Sequence, residues 1–186
     1  MPTQPNNVEI ELELTYLARN FPDGMTGVAP QRLVDTYVPE DAARPYVRLR
    51  QKGTQYEITK KQPVDEQDLS NQTEQTIPLL KDEFEALCRA SRRHVVKDRY
   101  TLIAAGRTAE VDVFIGDLEG LVVIDFEFDS LEEKQAFEPP EFCLVDVTQE
   151  LFIAGGQLAG KTYGDIADEL KRLGYTKLTL LANKQA

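Results

Sequence analysis

A chain of 186 residues, 41% hydrophobic and 28% charged, with a formal net charge of −11, has the length of one domain and the composition of a soluble globular protein. No stretch approaches the roughly 20 apolar residues of a membrane span, and the acidic balance argues against a general nucleic-acid surface, which would be basic. The residues before Val8 lack the basic and apolar regions of a secretory leader, and Cys88 and Cys143 lie far apart without metal-ligand spacing, which fits a reduced cytoplasmic setting.

Alternation and turn signals predict strands over about 8–17, 32–38, 44–51, 55–61, 71–78, 93–102, 107–115 and 121–129. The first, Glu9-Ile10-Glu11-Leu12-Glu13-Leu14, sets acids on one face and aliphatics on the other, because successive strand side chains point oppositely. Pro22-Asp23-Gly24 then marks a turn. Tyr46-Val47-Arg48-Leu49-Arg50 repeats the alternation with bases, and Gly53-Thr54 is short enough for a hairpin. Leu80, Phe84, Leu87 and Cys88 stand at helical spacing, which predicts a helix over 79–90 with Cys88 in its core stripe. Arg92-Arg93-His94 with Lys97 reads mostly as a solvated basic face, and a single histidine all but excludes a histidine-rich zinc site. Gly106 makes another hairpin between strands. Acids return in Ala109-Glu110-Val111-Asp112-Val113 and in Val123-Ile124-Asp125-Phe126-Glu127-Phe128-Asp129. Pro139-Pro140 and Gly155-Gly156 are loop-like. A second helix over 163–173 carries Ile166, Ala167, Leu170 and Leu173 on one stripe and stops at Gly174. The whole, 1–186, reads as a single domain with a polar tail at 1–7 and a C-terminal helix and tail at 163–186.

About eight antiparallel strands in one domain close most simply into a barrel, which removes the edges. The fold class is therefore α+β, mostly β: a closed eight-stranded antiparallel barrel with a few peripheral helices. Acids on three strands and arginines on a fourth suggest a shared cavity where cations and a polyanion meet. Periodicity leaves two arrangements open. With the charges outward, Ile10, Leu12, Leu14, Val47, Leu49, Val111, Val113, Phe126 and Phe128 fill the interior. With the charges inward, those residues need cover from outside, and two amphipathic helices cannot cover a whole barrel.

The order and content of these strands resemble the CYTH, or triphosphate tunnel metalloenzyme, superfamily over roughly 8–160. Glu11-Leu12-Glu13-Leu14-Thr15 is similar to its N-terminal Glu-x-Glu-x-Lys strand, with threonine in the lysine position; Glu9-Ile10-Glu11-Leu12-Glu13 is the alternative register. Val47-Arg48-Leu49-Arg50 resembles the paired-arginine strand, and Thr59-Lys60-Lys61 the Thr-x-Lys strand. Glu74 stands as the glutamate before the first helix, and Lys97-Asp98-Arg99-Tyr100 is similar to the later Arg-Tyr strand. Glu110-Val111-Asp112-Val113-Phe114 and Glu119-Gly120-Leu121, leading into Asp125-Phe126-Glu127, complete the series. The chain departs from the family twice: no lysine stands third in the first motif, and Val145 replaces the lysine often found before Glu-Val-Thr. Lys60, Lys161 or Arg107 would have to supply a substitute.

The resemblance implies a charged tunnel that binds a triphosphate or polyphosphate small molecule together with Mg²⁺ or Mn²⁺. Arg48 and Arg50 would clamp phosphate, since a guanidinium binds two oxygens at once, with Lys61 and Arg99 further along. On this reading removal of Arg50 costs affinity and leaves thermal stability near that of the parent. Glu11, Glu13 and one of Asp125 or Glu127 would serve as first-metal ligands, with Asp112, Glu74 and Glu127 available for a second ion or for orienting the attacking water; Glu110, Asp112 and Glu127 form the catalytic set. The function implied is metal-dependent hydrolysis of inorganic triphosphate or of an organic compound bearing one. Alternatives are a class IV-type adenylate cyclase and a polyphosphate or nucleotide-binding module without catalysis. No nucleic-acid or membrane partner is expected, and monomer and homodimer both stay open.

Overall fold

In the computed structural model, which describes residues 8–179, all eight expected strands form and the sheet closes on itself. They are β1 (Glu9–Ala18), β2 (Gln31–Val38), β3 (Val47–Lys52), β4 (Gln55–Asp65), β5 (Asp68–Leu79), β6 (His94–Ala104), β7 (Arg107–Ile115) and β8 (Val122–Phe128). Hydrogen-bonded neighbours run β5-β4-β3-β2-β6-β7-β8-β1, and β1 returns to β5. That closing seam is short, from Glu9↔Glu74 to Leu12↔Asn71. Beyond it the same edge of β1 takes a ninth strand, β9 (Cys143–Asp146), which pairs from Tyr16↔Asp146 to Ala18↔Cys143.

Two features differ from the sequence reading. The β4–β5 hairpin is longer than the expected 55–61 and 71–78, because pairing continues through Pro63↔Gln72 to Asp65↔Asp68 despite the polar, proline-containing tip. β9 is only four residues long, too short for alternation to register.

The open question of parity resolves inward. On the inner face β1 presents Glu11, Glu13, Thr15 and Leu17; β6 presents Val95, Lys97 and Arg99; β7 presents Glu110, Asp112 and Phe114; β8 presents Val123, Asp125 and Glu127. Each row passes from charged to apolar toward one end. There Leu17, Tyr37, Val95, Phe114 and Val123 join Ile153, Leu158, Ile166, Leu170 and Tyr175 in one core. The helices α3 (Gly155–Leu158) and α4 (Tyr163–Arg172) thus close an end of the barrel rather than its outer wall. Tyr175 Oη fixes this segment by donating to Gly120 O (2.8 Å) and accepting from Val122 N (2.9 Å).

The outer apolar faces find cover that two amphipathic helices could not give. Tyr16, Ala109, Val111, Ile124, Phe126 and Phe128 pack with Met25, Phe137 and Phe142, none of which lies in a long helix. Phe137 alone stands 4.7 Å from Phe126 and 5.2 Å from Phe128, ring to ring, beside the short α2 (Leu131–Gln135). Each such side chain removed from water contributes roughly 1.5–3 kcal/mol, so this cover is what allows charges on the inner face. The expected first helix forms as α1 (Lys81–Cys88), whose Phe84 lies 4.9 Å from Tyr56 of β4. The C-terminal tail expected beyond α4 is described only to 179; residues 1–7 and 180–186 lie outside the described residues. No helix of the described residues is long and apolar enough to cross a membrane.

Candidate active site

The charged half of the inner face encloses a cavity of about 290 Å³. All the residues singled out from sequence line it: Glu11, Glu13, Arg48, Arg50, Lys61, Glu74, Arg99, Glu110, Asp112, Asp125 and Glu127. A second opening, of about 590 Å³, shares Glu11, Glu110, Asp125 and Glu127 and continues past Glu9, Arg107, Asp129 and Glu133. The strand period brings these side chains together, since every one keeps the parity of its row.

The tunnel's charges pair with one another. Arg50 and Asp35 are direct cross-strand partners, and the guanidinium donates through Nε and Nη2 to both carboxylate oxygens at 2.7 Å, fully inside the wall. Arg99 and Asp112 are likewise direct partners, joined by two 2.7 Å bonds, and Arg99 Nη1 also binds Glu110. Lys97 donates to the same Asp112. Lys61 Nζ donates to Glu13 Oε2 at 2.6 Å and lies 2.7 Å from Glu11 Oε2. Arg48 differs: among the described residues no carboxylate lies within ion-pair reach of it, and its buried Nε has no hydrogen-bond partner.

This pairing sets the protonation of the site. Burial raises the Asp112 carboxyl, but Lys97 and Arg99 outweigh it and hold it down to about 2. Burial also works against the charged forms of Asp35 and Lys61, yet Arg50 keeps Asp35 well below the carboxylate range and Glu13 and Glu11 raise Lys61. Burial lowers the Lys97 ammonium, opposed by Asp112 and assisted by Arg99. On the other wall the acids crowd. Burial, then Glu13 and Asp112, push Asp125 well up, and burial with Glu11, Glu110 and Glu13 raises Glu127. That wall carries more negative charge than its cations balance.

Among the described residues no three acids, histidines or cysteines converge into a ready-made metal site. The donors still suit a hard divalent cation. The acidic wall offers carboxylate and hydroxyl oxygens without sulfur or imidazole, and Mg²⁺ needs only one or two carboxylates beside substrate oxygens. Glu11 and Glu13 already converge on one positive group, the Lys61 ammonium, which marks the place where a cation is favoured. Glu74 is the cross-strand partner of Lys61 and accepts from Thr76 Oγ1 at 2.9 Å.

Sequence reading misses three charged residues of the lining, Arg44, Glu150 and, deepest in the wall, Lys97. Composition groups Lys97 with Arg92-Arg93-His94 as a solvated patch, but it is 9% exposed and faces the tunnel. Its signal was present, since Lys97 keeps the parity of Arg99 on one strand. Arg93 is not a solvated charge either; it ties the loop before β3 to α3 by donating to Ala42 O and Gly156 O. None of the suggested substitute cations lines the main cavity. Lys60 is exposed, Lys161 is elsewhere, and Arg107 sits at the second opening, paired with Glu133 at 2.8 Å.

No family model matches the chain. Over 142 residues it is 37% identical to an inorganic triphosphatase of Nitrosomonas europaea, a match covering 75% of this chain and 90% of that protein. A crystal structure of an inorganic triphosphatase superposes with a TM-score of 0.59 at 33% identity, over 80% of this chain and 93% of that one. A candidate adenylate cyclase of Bacillus halodurans shares the fold, with a TM-score of 0.53 at 15% identity over 96% of this chain and 97% of that one.

Proposed function

The chain belongs to the CYTH, or triphosphate tunnel metalloenzyme, superfamily as a relative of inorganic triphosphatases, and on that footing we propose that it is a divalent-metal-dependent hydrolase of inorganic triphosphate. The observation that carries this reading is one cavity in which cations from β3, β4 and β6 meet acids from β1, β7 and β8. Phosphoryl transfer asks little covalent chemistry of a protein; positioning and charge stabilisation supply most of the rate.

Arg48, the inward arginine without a carboxylate partner among the described residues, takes the phosphate chain first. Arg50, Lys97 and Arg99 set the positive field behind it, each oriented by an acid of the wall. Glu11, Glu13 and Asp125 would hold Mg²⁺ or Mn²⁺, which when bound neutralises phosphate oxygens and leaves the transferred phosphorus more electrophilic. Glu127 opens onto both cavities and is paired with no cation among the described residues, so we assign it to orienting the attacking water. Asp112 acts through Arg99 and Lys97 rather than on substrate, and Glu110 through Arg99.

The test is phosphate release from inorganic triphosphate, ATP and thiamine triphosphate with Mg²⁺, Mn²⁺ or EDTA, with chromatography of the ATP products. We expect metal-dependent release that EDTA abolishes, fastest from inorganic triphosphate. Cyclic AMP with pyrophosphate would move the protein to the cyclases. Ligand-induced thermal stabilisation without turnover would make it a binding module.

A further inference from the structure

On the inner face of β1, Thr15 is the one uncharged residue between the acids and the apolar plug, and its backbone is pinned by the residues that follow β9. It lies where the edge of β1 passes from β5, whose last pair is Leu12↔Asn71, to β9, whose first is Tyr16↔Asp146. In that gap Thr15 N donates to Thr148 Oγ1 at 2.9 Å, and Thr15 O accepts from Val147 N at 2.8 Å. Thr148 is held in turn by its hydroxyl donating to Asp146 Oδ1 at 2.6 Å.

So fixed, the Thr15 side chain points into the tunnel and donates to Asp125 Oδ1 at 2.9 Å. Thr15 and Asp125 are direct partners in the β1–β8 ladder. The other oxygen, Oδ2, faces Arg99 Nη2 across 3.9 Å, a charge contact without a hydrogen bond. Among the described residues the Thr15 hydroxyl is the only side chain that donates a hydrogen bond to Asp125. The acid's other close neighbours are carboxylates, of which Glu13 shares a side-chain hydrogen bond with it.

We propose that Thr15, backed by Thr148, is a positioning residue that sets the Asp125 carboxyl for its work on the acidic wall. This rests on the reading of that wall as the place of a divalent cation. Outer-shell hydrogen bonds to such ligands typically govern affinity or activity by roughly 10–100-fold.

The experiment compares Thr15→Val, which keeps the shape and removes the donor, with Thr15→Ser, which keeps the donor. Mn²⁺ affinity is measured by calorimetry on the protein without substrate, and kcat and KM for inorganic triphosphate are measured separately. Thr15→Val is expected to melt within a few degrees of the parent, to bind Mn²⁺ roughly 10-fold more weakly, and to lose kcat with KM for triphosphate little changed. Thr15→Ser should recover Mn²⁺ binding to within about threefold. Equal Mn²⁺ affinity in Thr15→Val and parent would overturn the proposal. So would a serine variant as impaired as the valine one, since the methyl and not the hydroxyl would then matter. A parent that binds Mn²⁺ and hydrolyses nothing would remove the hydrolase reading while the Mn²⁺ comparison still decides the role of Thr15.

Discussion

Arg48 and Arg50 look equivalent in the sequence, two residues apart on one strand face, yet their surroundings separate them. Arg50 forms a two-bond pair with an Asp35 that is 0% exposed. Removing one partner of a buried pair leaves the other charge uncompensated, at a cost of about 3–5 kcal/mol. Arg48 and Lys97 also act on Asp35, so Arg50→Ala belongs at the lower end, about 3 kcal/mol. For a chain of this length that lowers the melting temperature by roughly 6–12 °C. The expectation that removing Arg50 spares stability is therefore corrected, and the inward orientation of the strand stands. Arg48→Ala should do the reverse: a melting temperature within about 2 °C of the parent and triphosphate binding weaker by roughly 10–100-fold, the worth of a charge-assisted hydrogen bond. Calorimetric melts and titrations of both variants check the division. Comparable stability losses in the two would sink it.

Between elements, α3 seats closely on Tyr37 at the tunnel lining. A Cβ at Gly155 would stand 2.0 Å from Tyr37 Oη and 2.9 Å from its Cζ, and one at Gly156 would stand 2.7 Å from Pro45 O. Because Tyr37, Gly155 and Gly156 all line the cavity, Gly155→Ala must displace either the helix or the ring. We expect it to destabilise by about 1–3 kcal/mol, as overpacking does, and to weaken triphosphate binding as well; a melt paired with a titration reads both. An unchanged melt would mean that the α3 contact is loose. The sequence marked Gly155-Gly156 only as a loop, and the reason is general. Strand existence and parity are local and legible, and with them most of the tunnel acids and bases, though not Lys97, Arg44 or Glu150. The choice of inward over outward was not, because a period of two is the same seen from either side; it depends on Met25, Phe137 and Phe142, which carry no periodicity. Nor was the pairing of cations with acids, which is written in cross-strand register, Asp35↔Arg50 and Arg99↔Asp112, rather than along the chain. Lys97 keeps parity with Arg99, a signal that the basic composition of its neighbours masks.

At the scale of the molecule, a net charge of −11 surrounds a tunnel in which each sign largely neutralises the other. A polyphosphate entering alone draws on cations that hold Glu11, Glu13 and Glu110 in check, and leaves those acids repelling one another. A divalent cation entering alone competes with Lys61 for Glu11 and Glu13 and sets an ammonium adrift among Arg48, Arg50 and Arg99. Arriving together, the two ligands exchange partners: the released ammonium meets phosphate and the released carboxylates meet metal. The unfavourable part of each binding step is thus removed by the other ligand, which is a coupling free energy and must be reciprocal. Couplings of this kind usually amount to 1–3 kcal/mol, or about 5–150-fold in affinity. Ligand that binds only the folded state raises its melting temperature by mass action. The shift with Mg²⁺ and a slowly hydrolysed triphosphate analogue together should therefore exceed the sum of the shifts with each alone. Lys61→Met, which removes the exchanging group, should bind metal alone more tightly and lose most of the excess. Strictly additive shifts in the parent would mean that the two signs of charge in the tunnel serve separate ligands, and that the ion pairs across it are structural.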